Sequence, residues 1–270
     1  MTAHEQSKGW ALILGASSGF GEATSLALAD AGFDILGVHL DRRATLGNIE
    51  RIVGAIQAKG RAARFFNVNA ADAEKRQAVL DDAEQVLAER GQPGAVRVLL
   101  HSLAFGTLKP YIGASPDEAL TQAQMDMTLD VMAHSLVYWA QDLVWRKLMT
   151  RGGRIFAMTS LGGERVFATY GAVSAAKAAL ESHIRQLALE LAPHGITANA
   201  IRAGVTETPA LQKIPGSERM VESAKRTNPM GRLTTPGDVG AAIAALCREG
   251  THWITGNVIG VDGGEAVTFV

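Results

Sequence analysis

The sequence predicts one doubly wound α/β domain, with a mostly parallel seven-stranded sheet and helices on both faces. Three observations carry this expectation. Short, continuous apolar runs alternate with longer amphipathic ones along the whole chain, and continuous runs suit strands covered on both faces. Glycines at 32, 60 and 195 follow the amphipathic segments, where a left-handed residue closes a helix. A chain of 270 residues buries roughly three quarters of its unfolded surface, enough for a core without staples.

The strands are expected at 10–14, 34–40, 62–68, 96–101, 154–159, 197–201 and 258–261. Helices are expected at 21–31, 45–59, 72–90, 116–149, 169–192 and 236–248, the fourth opening on Pro116-Asp117-Glu118, a proline with acids in a first turn. Strand and helix alternate without a repeat, a low-complexity tract or a linker, so 1–270 reads as a single domain. The least regular stretch, 203–232, holds Pro209, Pro215 and Pro229 and is expected to be a substrate-binding loop or lid.

Composition narrows the function. Lys and Arg number 26 against 27 Asp and Glu, a net charge of −1, which speaks against a dedicated nucleic-acid binder. Hydrophobic residues at 47% and charged residues at 20% exclude a disordered chain. No apolar run approaches the ~18 residues of a membrane span. Residues 1–8 are polar and the first apolar run is short, so neither membrane insertion nor a secretory signal is expected. Cys247 is the only cysteine, which rules out an internal disulfide and a cysteine zinc cluster and fits a reducing cytoplasm.

The first strand runs into Gly15-Ala-Ser-Ser-Gly19-Phe-Gly21 and then a helix. Glycines allow a tight turn and close backbone approach, while the helix start offers free N–H groups and the positive end of its dipole. This is a phosphate cradle, or else a turn needed only for strand–helix packing. The second strand ends at His39-Leu40-Asp41-Arg42-Arg43. An acid there would bind ribose hydroxyls and favour NAD; an arginine would pair with a 2′-phosphate and favour NADP. Two adjacent arginines tip the expectation slightly to NADP(H) over NAD(H), although solvated residues at a helix start would look the same.

Tyr170 and Lys177 stand seven apart, two helical turns, on one face and about 10 Å apart along the axis. A nearby cation stabilises a phenolate and would make the tyrosine a useful proton donor. A core tyrosine and a surface lysine give the same spacing.

The glycine turn, the Tyr170–Lys177 pair and the terminal Val261-Asp262-Gly263-Gly264 together resemble the short-chain dehydrogenase/reductase family over essentially the whole chain. The resemblance implies a Rossmann-type fold, hydride transfer from NAD(P)H, Tyr170 as proton donor and Lys177 as ribose anchor. Ser160 is implied either to polarise the substrate carbonyl or to cap its loop. Cofactor contacts are implied for Gly15, Ser17, Ser18, Gly19, Phe20 and Gly21, for Asp41, Arg42 and Arg43, and for Asn67 and Val68. Ser102, Leu103 and Ala104 join them, with Lys177, Gly204, Thr206 and Thr208. Thr208 is also a plausible helix N-cap ahead of Pro209.

Departures from the common pattern point to one branch. His101-Ser102-Leu103-Ala104-Phe105 replaces the usual Asn-Asn-Ala-Gly, Asp130 replaces an asparagine, Ala203-Gly204 replaces Pro-Gly, and Ser160-Leu-Gly-Gly-Glu164-Arg165 precedes the tyrosine. These variants are similar to enoyl-acyl-carrier-protein reductases, and 203–232 is similar to an NADPH-dependent member. The best-known NADH-dependent form has a second tyrosine about where Ser160 stands.

The implied reaction is reduction of a 2,3-enoyl thioester, with Tyr170 donating to the enolate oxygen. A carbonyl reductase acting on, for example, 3-oxoacyl thioesters is the alternative enzyme. A silent dinucleotide sensor has no need of Tyr170 and Lys177. The substrate is implied to be a small-molecule or carrier-bound acyl group; the small residues following Tyr170 make that helix either deeply buried or closely packed against another subunit, and the resemblance implies a homotetramer or homodimer. Of the histidines, His101 reads as packing in the cleft; His4, His39, His134, His183, His194 and His252 show no metal-ligand spacing. Met125, Met127 and Met132 read as core or interface filler. The role of Asp130 is open between a protonated donor and a charged acceptor.

Overall fold

The computed structural model describes residues 7–268; His4 lies outside them. Seven parallel strands form one sheet in the order β3-β2-β1-β4-β5-β6-β7. They are β1 (Trp10–Leu14), β2 (Asp34–His39), β3 (Ala63–Asn67), β4 (Val96–His101), β5 (Met149–Thr159), β6 (Thr197–Ala203) and β7 (Val258–Val261). The helices are α1 (Gly19–Asp30), α2 (Leu46–Ala58), α3 (Ala73–Glu89), α4 (Gln122–Leu129), α5 (Ser135–Trp145), α6 (Gly171–Leu191), α7 (Ser217–Thr227) and α8 (Pro236–Leu246).

Side chains of β1 alternate between two cores, as the two-residue period of a strand requires. Leu12 and Leu14 pack with Leu80 of α3, Trp139 of α5 and Leu180 of α6. Ala11 and Ile13 pack with Leu28 of α1, Ile52 and Ile56 of α2 and Ile243 of α8. Burying each large aliphatic side chain is worth about 1.5–3 kcal/mol, so this central strand is held from both faces. The order reverses between β1 and β4. Their carboxyl ends therefore open a crevice, where sheets of this kind bind ligands.

Two stretches differ from expectation. The single helix expected over 116–149 is broken: Pro116-Asp117-Glu118 lies in turns, and α4 starts only after Thr121. Thr121 and Gln124 form a reciprocal capping box there, a signal stronger than the upstream proline. A π-helical segment, Asp130–His134, then joins α4 to α5, and β5 begins already at Met149. The second difference is α7 inside 203–232. It is strongly polar and buries only Ala224, so it offered no apolar stripe to detect.

Candidate active site

The glycine turn is built from three different constraints. Gly15 has φ +90°, and a Cβ there would lie 2.3 Å from the Ser102 carbonyl oxygen, so the β4 loop presses on the turn. A Cβ at Gly21 would lie 2.0 Å from the Gly15 oxygen, so this glycine serves helix–turn packing. Gly19, at φ +55°, faces the open side, where a Cβ would approach only Thr208, at 3.4 Å. Ser18 precedes α1 and makes no side-chain capping bond, which leaves the first amides of α1 for another partner. The turn thus serves packing at two glycines and leaves open space at the third.

Asp41 is the organised residue at the end of β2. Its carboxylate bonds His39 Nδ1 at 3.0 Å and accepts from Thr45 Oγ1 at 2.8 Å. Its backbone is clasped by Asn67, which accepts from the Asp41 amide and donates to the Asp41 carbonyl. Partial burial pushes the Asp41 carboxyl upward, but hydrogen bonds from Ser17, Thr45 and His39 outweigh it and hold the group below its ordinary value. A fixed anion therefore touches the glycine turn. Arg42 and Arg43 are exposed, and no side-chain hydrogen bond holds either among the described residues. Val68 follows β3, its amide bonded to the His39 carbonyl. Ser102, Leu103 and Ala104 leave β4 beside Gly15, with the Ser102 amide on the Leu14 carbonyl.

Tyr170 immediately precedes α6. Its ring lies over Gly162, where a Cβ would come within 2.4 Å of Cε1. Thr169 has φ +61°, a rare backbone for a β-branched residue and a local strain next to the tyrosine. Burial raises the Tyr170 pKa, opposed by a hydrogen bond with the Ser160 hydroxyl. Ser160 also accepts from the Gly162 amide at 3.2 Å, so it both caps its loop and meets the tyrosine.

Lys177 is buried and donates to the Met158 carbonyl at 2.7 Å. Burial pulls its pKa down to about 8, against an opposing pull from Glu181. The expected lowering of the tyrosine pKa by this lysine is not what the geometry gives: the ammonium is tied to β5, and Tyr170 lies above its ordinary value.

The loop after β6 is tied down from the C-terminal motif. Thr206 donates to the Gly204 carbonyl at 3.0 Å, and the Val205 amide donates to both Glu265 oxygens, at 3.2 and 3.0 Å. Asn228 donates to the Asp262 carbonyl, so the motif grips both ends of 203–232. Thr208 accepts from the Leu211 amide at 3.2 Å, while its methyl faces Gly19.

His101 is fully buried, bonds Ser135 at 2.9 Å and is held neutral by burial, with a pKa near about 3. Asp130 opens the π-helical segment, a device frequent at functional sites. Among the described residues no group of three or more candidate ligands could hold a metal ion. Glu181 and Glu265 join the site without any local signal in the sequence. Gly162 had a readable signal, since it belongs to the Ser160–Arg165 motif. The residues present fit a dinucleotide: an open glycine and uncapped helix start for phosphates, and an ordered acid for ribose hydroxyls.

The family model described as Enoyl-(Acyl carrier protein) reductase matches residues 15–265. The NADH-dependent enoyl-[acyl-carrier-protein] reductase of Aquifex aeolicus is 34% identical over 172 residues, 63% of this chain and 62% of that relative, under two thirds of its length. A 1-cyclohexenylcarbonyl-CoA reductase of Streptomyces collinus is 29% identical over 95% of this chain and 86% of its own. The crystal structure of the Aquifex enzyme superposes with a TM-score of 0.81 at 25% identity, covering 98% of both chains. A promiscuous reductase that catalyses keto-reduction at C1 during lugdunomycin biosynthesis superposes equally well, with a TM-score of 0.81 at 27% identity over 97% of this chain and 99% of its own.

These findings overturn the lean to NADP(H). Relatives in Aquifex aeolicus and Synechocystis carry NADH in their names. The physical reason lies in the geometry above: the arginines are unanchored, whereas the Asp41 carboxylate is held against the turn, where it would repel a 2′-phosphate. With the fold, the glycine turn and the family match in agreement, the chain belongs to the enoyl-(acyl carrier protein) reductase family of the short-chain dehydrogenases/reductases.

Proposed function

We propose that this oxidoreductase uses NAD(H) to reduce the 2,3 double bond of an enoyl thioester. The observation that carries the reading is the Tyr170 phenol, held over Gly162, hydrogen-bonded to Ser160 and kept protonated by burial. It is supported by two relatives whose printed names describe reduction of unsaturated acyl thioesters, one on acyl carrier protein and one on coenzyme A.

Asp41 would accept from ribose hydroxyls, the amides at the start of α1 and Thr208 would meet the phosphates, and Lys177 would hold the second ribose. The bound nicotinamide supplies the hydride. Charge then develops on the thioester oxygen. With the hydride added at Cβ, Tyr170 O–H donates to that oxygen, and Ser160 in turn donates to the tyrosine oxygen as it becomes phenolate; the enol then takes a proton at Cα from water while its O–H returns the first proton to Tyr170. Burial that raises the phenol pKa keeps the donor loaded at neutral pH. The 203–232 segment is proposed as the lid, gripped at both ends by the C-terminal motif. No helix among the described residues is long and apolar enough to cross a membrane, and a cytoplasmic homotetramer or homodimer is proposed.

One observation favours a second reading. A serine beside Tyr170, in place of a second phenol, is the arrangement implied for carbonyl reductases, and one structural neighbour performs keto-reduction. Tyr170→Phe separates the two. An alkoxide must be protonated at once, so a ketone reductase should lose roughly 10²–10⁴-fold or more. An enolate spreads its charge, so enoyl reduction should keep measurable activity, with Ser160 or water as donor. Complete loss of enoyl turnover in a variant that still binds NADH would overturn the milder dependence.

A further inference from the structure

Tyr111 comes from the long loop between β4 and α4 and reaches across to the first turn of α6. A cavity of about 280 Å³ lies there, walled by the rings of Tyr111, Phe167 and Tyr170 and floored by Gly171, Ser174 and Ala175. Phe167 meets Tyr170 edge-on, with centroids 5.8 Å apart and planes at 83°. Tyr111 is seated on a glycine: a Cβ at Gly171 would lie 2.6 Å from its Cζ. Its hydroxyl has no hydrogen-bond partner among the described residues, so fit to the glycine, not a polar tether, sets where the ring stands.

We propose that Tyr111 sets the size of the acyl group, limiting the buried part to a short chain or a single ring. This rests on the enoyl reductase reading above. The cavity sits at the lower edge of the ~300–1,000 Å³ usual for ligand pockets. At roughly 30 Å³ per heavy atom, the liquid share of one water, it holds about nine. A six-membered unsaturated ring with its thioester carbonyl and sulfur fills that space. A longer chain must pass the half-exposed Tyr111 into solvent, so its further methylenes gain nothing from burial.

The test uses the NADH-loaded protein, the Tyr111→Ala and Tyr111→Phe variants, and thioesters of four to twelve carbons plus a cyclohexenyl ring. Turnover of the unsaturated series is read beside calorimetric binding of the saturated one. Each buried methylene is worth about fourfold. Affinity and kcat/KM should therefore climb to about seven carbons and then level off. In Tyr111→Ala the twelve-carbon chain should gain about tenfold relative to the ring, while Tyr111→Phe leaves their ratio as in the parent. A continued rise from eight to twelve carbons, an unchanged ratio in Tyr111→Ala, or no binding of any acyl thioester would overturn the proposal. Selective binding that levels off without any turnover would leave it standing and sink the reductase reading instead.

Discussion

Gly162→Ala tests how Tyr170, the proposed proton donor, is held. The added methyl would sit 2.4 Å from Tyr170 Cε1, and ordinary contact begins at 3.4 Å, so the ring must give way by about 3.4 − 2.4 = 1.0 Å. Gly162 has no positive φ, so alanine brings no backbone strain of its own. Overpacking of this kind costs about 1–3 kcal/mol, a loss of a few degrees in Tm that leaves the protein folded. A misplacement of about 1 Å at a reacting group costs on the order of 10²-fold in rate. The assay is NADH oxidation with a short enoyl thioester, alongside calorimetric NADH binding. We expect kcat to fall by no more than the loss that Tyr170→Phe causes on the same enoyl thioester, on the order of tenfold, with NADH affinity within threefold of the parent. Combined with Tyr170→Phe, the substitution should add little further loss, since both act through the same hydroxyl. A folded Gly162→Ala protein with kcat within threefold of the parent would refute the placement of Tyr170.

Gly19→Val should abolish NADH binding in a folded protein, because its side chain would enter the open face of the cradle; unchanged calorimetric affinity would contradict that assignment. Asp41→Ala should weaken NADH by about tenfold and narrow its advantage over NADPH, while Arg42→Ala with Arg43→Ala should change NADH affinity by less than about threefold; the reverse ranking would restore the arginines as ligands. Lys177 gives a pH test, because burial draws its pKa from 10.5 to about 8. Between those values the unfolded chain holds the proton that the folded one has shed, so this group's contribution to stability rises with pH over that window. NADH affinity should fall above about pH 8 as the ammonium donor is lost, and Lys177→Met should remove both trends. Parallel trends in affinity and Tm would contradict this role.

Sequence reading succeeded where one local rule governs. The run Trp10–Leu14 is apolar at every position because both sheet faces are covered, and it matches β1. Val96–His101 is matched too, buried at every position but Arg97, and Val258–Val261 is matched although β7 is an edge strand that is only partly covered. It failed where two rules compete, as when Pro116 imitated a helix start while Thr121 and Gln124 supplied the real cap. At Asp41 the sequence shows an acid and two arginines side by side. Only the contacts from Ser17, Thr45 and Asn67 reveal that the acid is the one held in place. Lys177 illustrates the limit most clearly: its spacing from Tyr170 was legible, but its bond to the Met158 carbonyl depends on a strand nineteen residues away. Tyr111 and Gly171 are sixty residues apart, and nothing local couples them.

The central claim is the reduction of a carbon–carbon double bond with NADH. It is tested most directly by giving the unaltered protein NADH with crotonyl and acetoacetyl thioesters in parallel, and identifying the products by mass spectrometry. The account predicts butyryl thioester from the first and no hydroxyacyl product from the second. Robust formation of the hydroxyacyl thioester, with crotonyl thioester returned unchanged, would contradict it and leave the carbonyl reductase.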